Sequence, residues 1–416
     1  MSVIAHPYDG WVNESETLAP TPEPRRAVAW AATMSGHREA GRTIRSAHAD
    51  SGVAQVGPVD PAGRAQREEH DDGWLAPGAT RSVGAGVRAR DEAPDPFRTC
   101  FERDRDRILH GATAFRRLAG KTQVFIFPDD HQRTRLTHAL EVAQVATAIA
   151  RACRLNVALT EAIALGHDCG HGPGGHASED AFSPYLAEGY DHAVWGADVV
   201  LEPLNLCVET LDGIRNHSWS RPAPVTPEGE VVSWADRIAY VCHDFEDAVH
   251  AGIVTPTMLP DVIRDRCGEV RSRQLDSFIG GVVDAVVRTG TVGMVDSLAE
   301  ALAAFRAFNY ERIYMRPASR AQSESVIRVL RSLVEHYADR PNTLAFDIPT
   351  FDPGSVARTG TAAGHRHPDL AAGSPEAIRE AVAYVAGMTD RYAFTMAIDH
   401  LGWDRQTLPV GVDWRR

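Results

Sequence analysis

Apolar residues recur three and four positions apart in this chain from about residue 97 almost to its end. The clearest stretch is LTHALEVAQVATAIARACRL, in which Glu141, Gln144 and Arg151 lie away from the apolar face. That face is formed by Leu136, Leu140, Ala143, Ala146, Ile149, Ala150 and Cys153. Such spacing is typical of helices that bury one stripe of side chains. Residues 124–127, VFIF, give the one convincing extended run, so the sequence predicts an all-α protein.

The same spacing predicts where the helices lie. A short buried helix is expected in ALTEAIALGHD, and further helices at about 191–215, 230–251, 273–288, 293–338 with breaks at Gly or Pro, and 375–401. The segment DPGSVARTGTAAGHRHPDLAAGSPE is rich in Gly, Pro and Ala and is predicted to be a loop. Residues 1–95 lack sustained periodicity and are predicted to be largely flexible.

The composition bears on location and partners. No apolar run approaches the roughly 18 residues that a membrane span needs, and no secretory signal is visible, so we expect a cytoplasmic protein without membrane contact. With 43 Lys and Arg against 56 Asp and Glu, the formal net charge is −13. This charge opposes general attraction to nucleic acid. A protein of this charge that handles polyanions must gather its cations, and any metal, in one pocket.

Histidine is concentrated in one part of the sequence. Six of the 18 histidines fall between His131 and His192, most densely in GHDCGHGPGGHASED. The six cysteines form no CxxC pair, which disfavours a structural zinc site. Imidazole and carboxylate ligands together suit a divalent Mg, Mn, Fe, Co or Zn ion. The window therefore predicts one divalent metal site without thiolate ligands.

Adjacent His167 and Asp168 restrict where that site can lie. Neighbours on a helix diverge by about 100°, so the two side chains can meet at one ion only near a helix end. The surrounding glycines, Gly166 among them, supply such an end. His138 and Asp236 lie in otherwise apolar helical stretches, where an unpartnered polar side chain costs about 1 to 3 kcal/mol. Each of these two residues therefore needs a cation, a donor or a metal nearby.

The order His138, His167-Asp168, Asp236 resembles the HD-domain metal-dependent phosphohydrolases. Six stretches are similar, in order, to signatures of the dGTPase-like deoxynucleoside triphosphate triphosphohydrolases. They are FRRLAGKTQVF, RTRLTHALEVAQ, GHDCGHGPGGHASE, LNLCVETLDGIRNHS, WADRIAYVCHDFEDA and VAGMTDRYA, within residues 97–400. The resemblance implies an HD-domain helical core at residues 96–260, and a helical C-terminal part at 261–416 that completes the active site. It leaves residues 1–95 uncovered.

The resemblance also assigns roles to residues. It implies that His138, His167, Asp168 and Asp236 bind the metal and that Arg135 contacts phosphate. His176 matches a catalytic histidine, Glu179 is its carboxylate neighbour, and His192 matches a further active-site histidine. Hydrolysis would then proceed in line through metal-bound water, with His176 protonating the departing 5′ oxygen. The products would be deoxynucleoside and inorganic triphosphate.

The helix that carries Asp236 continues with a second group. Asp236, Tyr240 and Asp244 lie four residues apart and so share one helical stripe. The resemblance implies that Tyr240 supports the deoxyribose and Asp244 accepts its 3′ hydroxyl. Further candidates for the triphosphate, sugar and base are Arg237, Arg306, Lys121, Tyr314 and Gln123.

Four positions depart from the usual family pattern. They are Cys169, Gly174, Ala193 and Trp195. These substitutions leave the metal ligands intact but reshape the rim of the pocket, which bears on base preference. Family members commonly assemble into hexamers, so a homo-oligomer is expected, with a second nucleotide or single-stranded DNA as an activator to be tested.

Two other functions are compatible with the HD motif. An HD-domain phosphatase or phosphodiesterase acting on another nucleotide would release orthophosphate rather than triphosphate. A non-catalytic nucleotide sensor or nucleic-acid-binding HD protein would be expected to have lost at least one metal ligand. All four ligands are present here, which argues against the second reading.

Overall fold

A computed structural model describes residues 56–124, 132–344 and 370–408, together with scattered residues between 25 and 48. The chain divides into two compact units, Met1–Pro61 and Ala62–Arg416. Within the first unit, strands β1 (His37–Arg38) and β2 (Arg45–Ser46) pair antiparallel.

The described part of the second unit is built from helices, which confirms the predicted all-α class. The first seven are α1 (Arg64–Trp74), α2 (Cys100–Asp106), α3 (Thr113–Arg117), α4 (Arg135–Ala152), α5 (Val157–Gly166), α6 (Ala177–Phe182) and α7 (His192–Trp195). The middle ones are α8 (Val208–Asn216), α9 (Pro227–His250), α10 (Asp261–Cys267) and α11 (Arg271–Thr289). The last are α12 (Asp296–Asn309), α13 (Pro317–Asp339), α14 (Pro375–Ala386) and α15 (Asp390–Leu401). No helix among the described residues is long and apolar enough to cross a membrane.

The long helices begin where the local sequence allows it. The Thr226 side chain accepts a hydrogen bond from the Gly229 N–H, and Pro227 occupies the first turn of α9, where a missing N–H costs nothing. Ser374 caps α14 in the same way, by accepting from the Ala377 N–H. The observed bounds of α9 and α11 are close to those of the helices predicted at 230–251 and 273–288.

The helix predicted at 191–215 is wrong as a single element. The structure breaks it after α7 into a π-helical turn, Gly196–Val200, and a 3-10 turn, Glu202–Leu204, before α8 begins. Asn205, which follows the second turn, has a φ of 52° in the left-handed region. A helix cannot continue through that conformation, so the chain changes direction there.

The buried apolar side chains form two clusters. The first lies among α2, α4, α5 and α8–α12, and the second among α6, α13, α14 and α15. In the first cluster α4 packs against both α5 and α9. Leu140 is 48% exposed, so the prediction that it lies on the buried face of α4 is wrong. The face of α4 that α5 and α9 bury is the one that carries Val142.

Residues 62–98 contact the helical part at several points. The Arg88 guanidinium lies 2.6 Å from the Asp104 carboxylate, and both side chains are buried. The Thr80 N–H donates to Glu228 of α9. These contacts do not test the flexibility predicted for residues 1–95, which stays a prediction. The extended run at 124–127, apart from Val124, and most of the Gly/Pro/Ala-rich loop lie outside the described residues.

Candidate active site

Four predicted metal ligands converge from three segments. His138 comes from α4, His167 and Asp168 follow the last residue of α5, and Asp236 comes from α9. His138 Nε2 lies 3.0 Å from Asp236 Oδ1. His167 Nε2 lies 3.5 Å from Asp168 Oδ1 and 3.7 Å from Asp236 Oδ1. His167 links the four residues, because it forms one trio able to hold a metal with His138 and Asp236 and a second with Asp168 and His217.

The end of α5 explains how neighbouring residues reach the same point. The helix ends at Gly166, and His167 Nδ1 lies 2.7 Å from the Ala164 carbonyl oxygen. A carbonyl only accepts, so Nδ1 carries the hydrogen and Nε2 keeps its lone pair. His167 Nε2 is buried and has no hydrogen-bond partner. A buried, unpartnered imidazole nitrogen beside two carboxylates fits a divalent cation.

Arg135 completes the acidic side of this cluster. Its Nη1 donates to Asp168 Oδ2 at 2.7 Å, while Asp168 Oδ1 faces His167. Burial raises the pKa of Asp168, but the charges of Arg135 and the nearby histidines hold that pKa well below its usual range. Nε and Nη2 of Arg135 are buried without a hydrogen-bond partner. The guanidinium therefore has donors left for an anion.

His176, Glu179 and His192 form a second group. The Glu179 carboxylate accepts from His176 Nδ1 at 2.9 Å and from His192 Nδ1 at 2.7 Å. The His176 side chain is 71% exposed, whereas His192 is buried. Burial would raise the pKa of Glu179, but these hydrogen bonds bring it far below its usual value. Glu179 stays ionised and orients both rings.

Two further histidines join this group, and the sequence reasoning assigned them no role. The His171 ring stacks on His192 with 3.7 Å between centroids, and its Nε2 lies 3.2 Å from Asp168 Oδ1. His217 Nε2 lies 3.3 Å from His192 Nε2, and with His167 and Asp168 it forms a trio able to hold a metal. His171 lies in the dense histidine window, which was a signal. His217 follows α8 and lies in the stretch LNLCVETLDGIRNHS, whose resemblance to a family signature was the signal for it.

The stripe on α9 lies beside this cluster. The Tyr240 hydroxyl accepts from Arg237 Nη1 at 2.7 Å and from Arg306 Nε at 2.9 Å. The Tyr314 hydroxyl donates to Asp244 Oδ2 at 2.5 Å. Burial raises the pKa of Asp244 to about 7.

One cavity of about 790 Å³ joins the two groups. Most of the predicted site residues line it: Gln123, Arg135, His138, Asp168, His176, His192, Asp236, Arg237, Tyr240, Asp244, Arg306 and Tyr314. His167 lies behind the wall with no exposed surface, and Glu179 lies behind the histidines that it binds.

Lys121 is not brought into this cavity. Its side chain is buried, and its Nζ donates to the backbone carbonyls of His171 and Ala386. Burial lowers the pKa of Lys121 to about 8. The structure thus places this candidate for the triphosphate or base beneath the loop that carries His171.

Comparison with known proteins identifies the family to which this chain is similar. The HD domain family model matches residues 135–241. A deoxyguanosinetriphosphate triphosphohydrolase-like protein from Caldanaerobacter subterraneus is 40% identical, over 78% of this chain and 92% of its own length. Proteins of the same description from Desulfatibacillum aliphaticivorans and Clostridium perfringens are 36% and 41% identical, over 80% and 62% of this chain and 96% and 78% of their own lengths.

Proposed function

Because the chain belongs to the deoxyguanosinetriphosphate triphosphohydrolase-like family of HD-domain phosphohydrolases, we propose that it hydrolyses deoxynucleoside triphosphates to deoxynucleoside and inorganic triphosphate. The observation that carries the proposal is that both groups of residues line one and the same cavity of about 790 Å³. At one end, which we call the phosphate end, lie the four metal donors, Arg135 and the histidine group. At the other, the sugar end, lie Tyr240, Asp244, Tyr314, Arg237 and Arg306.

The metal donors are suited to a phosphoryl substrate. His138, His167, Asp168 and Asp236 would hold one divalent ion, which when bound offsets phosphate charge and lowers the pKa of a coordinated water. Arg135 adds a fixed cation at the same place, with Nε and Nη2 free to donate to phosphate oxygens. The loop can approach the Arg135 guanidinium closely because residue 175 is glycine, where a Cβ would lie 2.5 Å from Arg135 Nη2.

The leaving 5′ oxygen needs a proton, and His176 is the exposed histidine that can supply it. Glu179 holds His176 Nδ1, so Nε2 remains for the substrate. His192 Nδ1 donates a hydrogen bond to the other oxygen of the Glu179 carboxylate and so fixes its position. A positioned general acid of this kind contributes about 10²- to 10⁴-fold to the rate.

The sugar end supplies selectivity. The Tyr240 ring, with its hydroxyl fixed by two arginines, gives the deoxyribose a flat apolar support. Asp244 and Tyr314 together offer a buried acceptor and donor for the 3′ hydroxyl. Arg306 and Tyr314 follow residue 260, which supports the proposal that residues 261–416 complete the active site.

Purified protein incubated with each dNTP and NTP, with Mg²⁺ or Mn²⁺, tests the proposal. Anion-exchange separation should show inorganic triphosphate and deoxynucleoside. Orthophosphate as the first product would instead indicate an HD phosphatase. Binding without any product would indicate a nucleotide sensor.

Three further expectations stay predictions: a cytoplasmic location, hexamer formation, and activation by a second nucleotide or single-stranded DNA. Light scattering tests hexamer formation, and rate assays with the added nucleotide or DNA test activation.

A further inference from the structure

One signature of the sequence contributes nothing to the cavity wall. VAGMTDRYA spans residues 385–393, from the end of α14 into the start of α15, and none of these residues lines the cavity. Its carboxylate, Asp390, is 3% exposed. A carboxylate kept out of water needs partners, and those partners show what it does.

Asp390 accepts hydrogen bonds from two other segments. Its Oδ1 accepts from the Gly174 N–H at 2.8 Å. Its Oδ2 accepts from the Thr122 N–H at 2.8 Å and from the Thr122 hydroxyl. The carboxylate therefore ties residue 122 and the histidine-bearing loop at residue 174 to α15.

Lys121 provides a second tie to the same loop. Its Nζ donates to the His171 carbonyl and, at 2.9 Å, to the Ala386 carbonyl at the end of α14. The Lys121 carbonyl accepts from the Arg135 N–H at 3.1 Å. Loop 171–176 is thus bound at His171 by Lys121, which also contacts the start of α4, and at Gly174 by Asp390.

The loop needs such support because of its backbone. Gly174 and Gly175 have φ of +72° and +62°, a left-handed pair that glycine tolerates at a high entropic cost of ordering. A Cβ at Gly174 would lie 2.5 Å from Val326 Cγ1, so the loop is pressed closely against α13. His176 follows directly, and its position depends on how firmly these two glycines are fixed.

We propose that Asp390 is a positioning residue for the reaction, which acts by fixing loop 171–176 so that His171 and His176 face the substrate beside Arg135. The proposal rests on the proposed function for its kinetic consequence, whereas its structural consequence stands by itself. Asp390 touches neither the cavity nor the metal donors. Its loss should therefore affect the chemical step more than substrate or metal binding.

Asp390→Asn is the test variant, because it keeps the shape while placing an amide N–H₂ against a donor. Glu228→Gln is a matched control. Glu228 has no exposed surface, and its carboxylate also accepts from two backbone N–H groups, of Thr80 and Asn156, and from the Thr80 hydroxyl. It lies outside the cavity lining. Both variants should lower the melting temperature to a similar extent.

The two variants should differ in kinetics. For Asp390→Asn we expect kcat to fall by roughly 10- to 100-fold, since a small misplacement of catalytic groups has effects of this size, while KM stays within about threefold. Metal content should not change. The Gly174 amide should exchange hydrogen faster in Asp390→Asn alone, and kcat of Glu228→Gln should equal that of the parent protein.

Equal losses of kcat in the two variants, or unaltered exchange at residues 171–176 in Asp390→Asn, would overturn the proposal. Amide exchange needs no substrate. If the parent protein cleaves no nucleotide but the loop loosens as expected, the proposed function fails and the anchoring role stands. If Asp390→Asn does not fold, Thr122→Val removes the hydroxyl donor alone and should give smaller changes in the same direction; no change would count against the proposal.

Discussion

At the phosphate end of the cavity, buried nitrogen atoms lack hydrogen-bond partners, whereas the main polar groups of the sugar end bind one another. His167 Nε2, two nitrogens of Arg135 and Nδ1 of His171 are buried without a hydrogen bond. By contrast, the Tyr240 hydroxyl is bound by two arginines and Asp244 Oδ2 by Tyr314, which leaves Asp244 Oδ1 as the unpartnered carboxylate oxygen there. Burial differs as well, since Arg135 is 2% exposed whereas Arg306 is an exposed residue.

This difference indicates a division of labour. Unpaired buried polar groups are costly, at about 1 to 3 kcal/mol each, unless a ligand completes them. The phosphate end is therefore prepared for a metal ion and an anion. The sugar end must exchange its own hydrogen bonds for those of the substrate. Changes at the first end should alter whether catalysis occurs, and changes at the second should alter which substrate is accepted.

The largest effect is expected from the metal donors. His138→Ala, His167→Ala, Asp168→Ala and Asp236→Ala should each abolish activity and lose the bound metal, because three remaining ligands hold a labile divalent ion poorly. Elemental analysis of purified variants measures this. His243→Ala, a buried α9 histidine bonded to Glu141, should keep its metal. Full metal occupancy in two or more of the four variants would reject the assignment.

The next effect separates chemistry from binding within the phosphate end. His176→Ala should lower kcat by roughly 10²- to 10⁴-fold, the range for a lost general acid, and leave metal content and KM nearly unchanged. The side chain is 71% exposed, so its removal creates no buried void. Steady-state kinetics decide the matter. If kcat stays at the parent value, the role passes to His192.

The sugar end should show changes in selectivity of about tenfold, a typical size for one hydrogen bond to a substrate. The parent protein should prefer dGTP to GTP and cleave dideoxynucleotides slowly. Asp244→Ala should narrow the dideoxynucleotide gap by weakening only the substrate with a 3′ hydroxyl. Tyr240→Ala should relax the exclusion of ribonucleotides. Ratios of kcat/KM between substrates measure both the dideoxynucleotide gap and the exclusion of ribonucleotides. Equal cleavage of GTP and dGTP by the parent protein would contradict a sugar-selective pocket at this end of the cavity.

The smallest effect concerns stability and pH. Because burial raises the pKa of Asp244 to about 7, the folded protein keeps this proton between about pH 4 and pH 7 while the unfolded chain has lost it. The group therefore lowers stability progressively as pH rises through that range. Asp244→Asn should raise the melting temperature by roughly 2 °C or more at pH 8, and by less at pH 5. A constant difference across this range would contradict the shifted pKa.

Much of the fold followed from local pattern. The spacing of apolar residues predicted helices close to α4, α5, α9 and α11, since side chains three and four apart lie on one face whatever the rest of the chain does. The helix end at Gly166 was expected from the glycine that stands next to the His-Asp pair. The candidate metal ligands and the phosphate contact of Arg135 were predicted from the resemblance of this sequence to a known family.

Other features depended on how the helices pack. His138 meets Asp236 across 98 residues of sequence, His217 reaches His192 from the end of α8, and Lys121 turns away from the cavity to bind two backbone carbonyls. The helix expected at 191–215 breaks at turns that local apolar spacing does not show. Periodicity reports which face of a helix is apolar, but not which helix covers it. The sequence by itself determined the helical class and the chemistry of the donors, whereas the tertiary structure decided which donors meet, because only packing sets distances between segments far apart in the chain.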